Sequence, residues 1–192
     1  MKSLKRNDEG FTGLEAAIVL IAFVVVAAVF SYVVLGAGFF TTQKAQETVY
    51  QGVAQASSNI QMQGQVYGLA TNPATGIDNI TFTIGLAPGS PTLDLSMMKI
   101  VFSTPTTSPV TYTWSNGNGS TSQFGVSETL AGTTNIGIAS LKAQNQTIIT
   151  FQVSPVVPKN TQMNFEIRPS VGASLPFTKT SPPALSNTNV LY

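Results

Sequence analysis

Cysteine and histidine are absent from all 192 residues. Their absence removes disulfide frameworks, thiolate or imidazole metal ligands, and every nucleophilic dyad or triad built on histidine. Charge is scarce as well: 9% of residues are Asp, Glu, Lys or Arg, against roughly 25% in ordinary soluble domains. Nine bases against eight acids leave a formal charge of +1, so no basic field exists to hold a nucleic acid backbone, and nucleic acid is not an expected partner. The acids Asp78, Asp94, Glu128 and Glu166 stand far apart without cation-loop spacing. Asn116-Gly117-Asn118-Gly119 is a turn signal rather than a phosphate loop, because no Gly-Lys-Ser/Thr follows it. No metal or cofactor is expected, and no Ser and Lys stand out as a hydrolase pair; the composition points away from an enzyme.

What the chain has instead is an apolar run near its N-terminus. No charged side chain occurs between Glu15 and Lys44, and from Ala16 to Phe40 only Ser31, Tyr32, Gly36 and Gly38 interrupt the aliphatic and aromatic residues. Such a stretch in helical form reaches about 37 Å, enough to cross a hydrocarbon core of about 30 Å. Lys2, Lys5 and Arg6 precede the run and the first base behind it is Lys44, which orients the N-terminus to the cytoplasm. Three fates of this segment compete: removal as a secretory signal at Val34-Leu35-Gly36-Ala37-Gly38, retention as a permanent single-pass anchor, or a cut ahead of the run at Gly10-Phe11.

The apolar residues cover every side of the helix from Phe11 onward, the pattern of a membrane span or of a helix surrounded by other helices. Small residues at Ala16, Ala17, Ala22, Ala27, Ala28, Gly36, Ala37 and Gly38 permit close approach of like helices. Beyond Phe40 the pattern narrows to a stripe of Ala45, Val49, Val53, Ala56 and Ile60, and Gly64, Gly68 and Asn72-Pro73 signal its end. This predicts a helix over 11–64, a linker over 65–76 and an outer domain over 77–192. Thr12-Gly13-Leu14-Glu15 has the form of a capping box, in which Glu15 also complements the positive end of the helix dipole.

From Ile77 the period becomes two. Ile80, Phe82, Ile84 and Leu86 alternate with polar residues, as do Val110, Tyr112 and Trp114, then Ile149, Phe151 and Val153, then Met163, Phe165 and Ile167. Leu93 to Phe102 is a further strand candidate, with weaker signals near Ile136 and Ile138 and over Val171 to Phe177. About seven short strands separated by Gly, Pro and Asn turns predict an α+β chain: a long N-terminal hydrophobic α-helix followed by an immunoglobulin-like antiparallel β-sandwich. Three Asn-x-Ser/Thr acceptors occur, at Asn79, Asn118 and Asn145, a number that chance alone supplies in a chain this rich in hydroxyl residues. Asn118, in a glycine-rich turn, is the most open of them, and Asn79 and Asn145 border strands.

Lys5-Arg6, Asp8-Glu9-Gly10 and Phe11-Thr12-Gly13-Leu14-Glu15-Ala16-Ala17-Ile18-Val19 together resemble the class III leader of type IV pilins, which a prepilin peptidase cuts after the glycine. The continuation IVLIAFVVVAAVFSYVVLGAGFFTTQKAQETVYQG resembles the N-terminal helix of archaellins, the archaeal flagellins, so that the likeness covers residues 4–55. It implies a leader over 1–10, a mature N-terminus at Phe11, and Glu15 as a fifth residue that meets the freed α-amine of a neighbouring subunit. It further implies a homo-oligomeric helical filament, with or without sister archaellins. The precursor would be held in the membrane, handled by a prepilin peptidase, an ATP-dependent motor and a membrane platform, and N-glycosylated at sequons of the kind found here. The expected function is a structural subunit of the archaellum, the swimming filament. An adhesive type IV pilin and a membrane-anchored β-domain protein are the alternatives.

Overall fold

The computed structural model describes residues 8–130 and 133–192, with side-chain surroundings defined for 13–128 and 134–192. The first seven residues of the expected leader lie outside the described residues. The chain divides into two units, the helix up to Tyr50 and Gln51–Tyr192.

Helix α1 spans Asp8–Ser57 without a proline. Its runs of Val and Ile are mediocre helix formers in water. In an apolar medium, however, a backbone must satisfy its own polar groups, and a helix does so. The residues Gly13–Ser57 are long and apolar enough to cross a membrane. Where hydroxyls enter the sequence they are returned to the backbone: Thr41, Thr42 and Thr48 each donate to the carbonyl four residues earlier, on Ala37, Gly38 and Lys44, at 2.8 Å.

The helix ends seven residues before the expected boundary at Gly64. Ser58 N donates to Ala54 O at 2.9 Å, and Ser57, Ser58 and Asn59 then break the repeat, since short polar side chains bond locally in competition with the helix. Ile60, assigned from its spacing to the helical stripe, is instead the first residue of strand β1, Ile60–Leu69. The expected linker over 65–76 is therefore strand as far as Leu69. The period-two text Ile-Gln-Met-Gln loses phase at a register shift between Gln63 and Tyr67, where Gly64 takes φ +79°, a geometry that suits glycine at a bulge.

The remaining strands are β2 (Ile77–Leu86), β3 (Leu93–Asp94), β4 (Lys99–Thr104), β5 (Thr107–Ser115), β6 (Gln123–Leu130), β7 (Thr133–Ile136), β8 (Ser140–Leu141), β9 (Gln146–Val157), β10 (Gln162–Arg168), β11 (Leu175–Thr180) and β12 (Thr188–Leu191). The stretch from Leu93 to Phe102 is two strands rather than one, parted at Ser96 by a turn in which the Asp94 carboxylate accepts from Ser96 N at 2.9 Å and Ser96 Oγ at 2.6 Å. The sheet runs β11-β10-β4-β5-β6-β9-β2-β1-β12, with β7 beside β6 and a separate β3-β8 pair. Pairing is antiparallel throughout the described strands except for β5 with β6.

The two ends of this path meet, because Thr180 and Tyr192 exchange backbone bonds of 2.7 and 3.3 Å. The sheet thus folds over one core. Phe82 on β2 meets Phe165 on β10 and Phe177 on β11, while Phe151 on β9 meets Phe102 on β4 and Tyr112 on β5, with ring centroids 4.5 to 6.4 Å apart. Two layers packed face to face in this way make a β-sandwich. The Tyr112 hydroxyl donates to Gln152 O at 2.9 Å, and burial pushes its pKa up to about 12.

Candidate functional site

The functional surface is α1 itself. Every large apolar side chain between Leu14 and Phe40 is more than half exposed, up to 80% for Tyr32. An apolar surface of this length exceeds what a single soluble chain leaves uncovered. The helix rises about 1.5 Å per residue, so its small residues at Ala16, Ala17, Ala22, Ala27, Ala28 and Gly36–Gly38 are spread along a rod that like rods can approach. The charges that follow are paired: Lys44 Nζ lies 2.7 Å from Glu47 Oε2.

Glu15 is exposed on the rod. Because α1 already runs from Asp8, Gly10, Phe11, Thr12 and Glu15 lie within the helix of the uncut chain. The helix therefore does not start at the expected capping box, and Thr12-Gly13-Leu14-Glu15 does not cap it in this chain. The side chains of Phe11 and Thr12 lie outside the described set.

The three sequons differ in accessibility. Asn118 is exposed in the turn between β5 and β6. Its sequon hydroxyl, on Ser120, accepts from Ser122 N and Gln123 N at 3.4 and 3.2 Å. Glycines seat this turn: a Cβ on Gly119 would meet Thr150 O, and one on Gly125 would come within 2.7 Å of Gly117 O. Asn79 is half-buried in β2 between β1 and β9. Asn145 donates its amide to Glu128 Oε1 at 2.8 Å, and the hydroxyl of its sequon partner Thr147 is buried. A glycosyl transfer must reach the amide nitrogen, so the folded chain offers Asn118 and withholds Asn145. Asn79 and Asn118 flank a shallow depression that also takes in Leu69, Thr150 and Gln152.

The sequence reading missed the helix exit. Ser90 Oγ donates to Ser57 O at 2.6 Å, Ser58 Oγ donates to Val171 O at 2.9 Å, and Ala87 N donates to Asn59 O at 3.1 Å. Gly172, at φ +102°, lies so close to Ser58 O that no side chain fits. The first of these bonds satisfies Ser57 O, a carbonyl that the helix end leaves without a partner, and the other two tie the residues just after the helix to the sandwich. The Ser-Ser-Asn cluster is the sequence signal that could have located it. On the outer surface, Arg168 forks onto Glu166 at 2.8 and 2.9 Å and holds that carboxylate below its ordinary pKa, as the two Ser96 bonds do for Asp94. Among the described residues, no three acidic side chains converge as a metal site would require.

Comparison with known proteins agrees with this arrangement. Residues 10–179 match the family model of the archaeal-type flagellin. The chain is 38% identical to the probable flagellin 2 of Archaeoglobus fulgidus over 202 residues, covering 97% of this chain and 96% of that one. The solved archaeal flagellum of Methanospirillum hungatei strain JF1 is similar at 34% identity and a TM-score of 0.72, covering 94% of this chain and 99% of its own. The crystal structure of archaeal flagellin FlaB1 from Methanocaldococcus jannaschii shares the fold at 15% identity and a TM-score of 0.60, over 70% of this chain and 96% of its own. A rod with no core of its own, a β-sandwich with a complete one, and a family match across most of the chain lead to one conclusion: the chain belongs to the archaeal-type flagellins.

Proposed function

We propose that α1 is made to be covered twice, first by lipid and then by copies of itself. As an archaeal-type flagellin the chain is a structural subunit of the archaellum, the extracellular filament of archaeal swimming. The observation that carries the proposal is the rod: Gly13–Ser57 is apolar enough for a bilayer, and the chain that bears it buries none of its most apolar stretch. Exposure of that surface to water costs roughly 1.5 to 3 kcal/mol per large side chain, so the helix must always have an apolar host. Moving it from lipid to other helices gains little by itself. Extraction therefore needs work, which a membrane platform and an ATP-dependent motor would supply. Head-to-tail contacts that do not close then extend into a helical filament, of this chain alone or with sister archaellins.

Processing fits the same sequence of events. A prepilin peptidase cutting at Gly10-Phe11 would remove Lys2, Lys5, Arg6, Asp8 and Glu9, taking nine bases and eight acids to six of each. Thr12 and Glu15 would then cap the new helix start, and Glu15 would meet the α-amine of a neighbour's Phe11, each charge covering the other as both leave water. The neutral mature chain would rely on hydroxyls, and on sugar at Asn118, to keep filaments dispersed. Intact-mass measurement of sheared filaments tests the cut. The expected mass begins at Phe11, and retention of Met1–Gly10, or a start beyond Phe40, rejects it.

A further inference from the structure

The turn that holds Asn118 is laid down on the sandwich rather than standing off it. A Cβ on Gly119 would strike Thr150 O on β9, and one on Gly125 would strike Gly119 N, so glycine at both positions lets the turn come down onto the outward face of β6 and β9. Backbone bonds fasten it there: Ser120 N donates to Gln123 O at 2.6 Å, and Gln152 N on β9 donates to Ser120 O at 3.1 Å. The exposed Asn118 side chain therefore starts at the rim of the depression it shares with Leu69, Asn79, Thr150 and Gln152.

The depression has about 390 Å³ of room, within the roughly 300 to 1,000 Å³ of small-ligand sites. Among the described residues no charged side chain lines it, which argues against an anion, a cation or a nucleotide as its occupant. What it offers is neutral and polar: the amides of Asn79 and Gln152 and the hydroxyls of Ser127 and Thr150. Register lines these groups up, since Asn79 pairs with Leu69 on one side and with Gln152 on the other. Tyr67, two residues before Leu69 and so on the same face, is 41% exposed and extends the floor with an aromatic ring. Amides beside an open aromatic ring are groups that hold a sugar, through bonds to its hydroxyls and contact with its apolar ring face.

We propose that this depression is a seat for the glycan carried by Asn118, so that the sugar lies along the sandwich instead of extending into solvent. The proposal rests on the reading of Asn118 as the modified sequon. It commits the Asn79 amide to the role of hydrogen-bond partner with no sugar of its own, because two glycans would compete for one seat. A seated glycan would cover the outward faces of β1, β2 and β9 and add to the stability of the sandwich that carries it.

The test uses the full-length chain purified from cells that carry it as their filament subunit. Peptide mass mapping should find sugar on Asn118 and none on Asn79. Gln152→Ala, which removes an exposed side chain and keeps the backbone bonds, should raise the unfolding equilibrium constant of the detergent-held, glycosylated chain about fivefold. Made in the Asn118→Gln chain, which has no sequon there, the same change should stay within about twofold. Urea titration followed by Trp114 fluorescence reads both. A cryo-EM map of wild-type filaments should show density running without a break from Asn118 over Gln152 toward Tyr67. Equal effects of Gln152→Ala in the two backgrounds, sugar on Asn79, or density that leaves Asn118 for solvent overturns the seat while leaving the modified sequon intact. Density in the depression that is not joined to Asn118 overturns the glycan as its occupant. An unmodified Asn118 in the wild-type chain defeats the sugar reading itself, and the seat with it.

Discussion

Between Leu14 and Phe40 no large apolar side chain of α1 is buried, whereas from Ile60 onward twenty-five hydrophobic residues among those described are buried. Both regions are rich in Val, Ile and Phe, so composition does not separate them. Period does. The sandwich alternates apolar with polar residues, so each strand has one face to hide and one to show, and two layers from the same chain suffice. The helix is apolar all round and would need several neighbours to hide it. The sandwich draws its stability from its own sequence, and the rod draws it from whatever surrounds it, which makes the stability of the rod a matter of lipid or subunit concentration.

The largest expected effect breaks the two regions apart by making one substitution in each. Phe151 touches Phe82, Phe102 and Tyr112, and Phe151→Ala should lower the unfolding free energy of the sandwich by about 3 to 5 kcal/mol. Phe30, 69% exposed on α1, loses the same atoms in Phe30→Ala and should leave that transition where it was. Urea titration of detergent-held full-length chain, followed by the single tryptophan, Trp114 in β5, separates the two. Equal shifts would show that the sandwich does not have a core of its own.

The same contrast explains what could be seen in the text of the chain. Both the rod and the strands β2, β9 and β10 are regular over many residues, and their periods are plain: Ile80, Phe82 and Ile84, or Met163, Phe165 and Ile167, are all buried as their alternation requires. The boundary was hidden because Ile60 satisfies both periods, four residues after Ala56 and two before Met62. Only the pairing of Ile60 with Leu86, far along the chain, decides between them. β6 was illegible for a related reason, since Phe124 and Val126 stand buried on either side of Gly125 without a longer run of the pattern in view, and β6 is held by β5, β7 and β9. The bonds at the helix exit join residues 33 and 113 positions apart, and no local spacing announces them.

A smaller effect sharpens the comparison through pH. The Tyr112 phenol is buried and holds its proton to about pH 12, against an ordinary value of 10.0. Above pH 10 the unfolded chain sheds this proton while the folded sandwich keeps it, so the unfolded state binds fewer protons and stability falls as pH rises. The loss should grow to about 2 to 3 kcal/mol by pH 12. Tyr112→Phe gives up the bond to Gln152 O but should flatten this decline, which urea midpoints at pH 9 and 11.5 would measure. A decline as steep in the Phe variant would place its origin elsewhere.

The smallest effect falls where the helix ends and the self-sufficient region begins. Ser90 is buried, and its hydroxyl donates to Ser57 O at 2.6 Å, one of the carbonyls that a helix terminus cannot satisfy from within. In Ser90→Ala that carbonyl loses its partner, and because Ser57 is only half-buried, water can replace part of the bond; the expected cost is about 1 kcal/mol. If the final helical turns are part of the sandwich's folding unit, this loss appears in the Trp114 transition. If they belong with the rod, the transition stays put and hydrogen exchange at Ala54–Ser58 alone accelerates. The grouping of Gln51–Ser57 with the sandwich favours the first outcome, in which the boundary between the two kinds of stability lies inside a continuous helix rather than at its end.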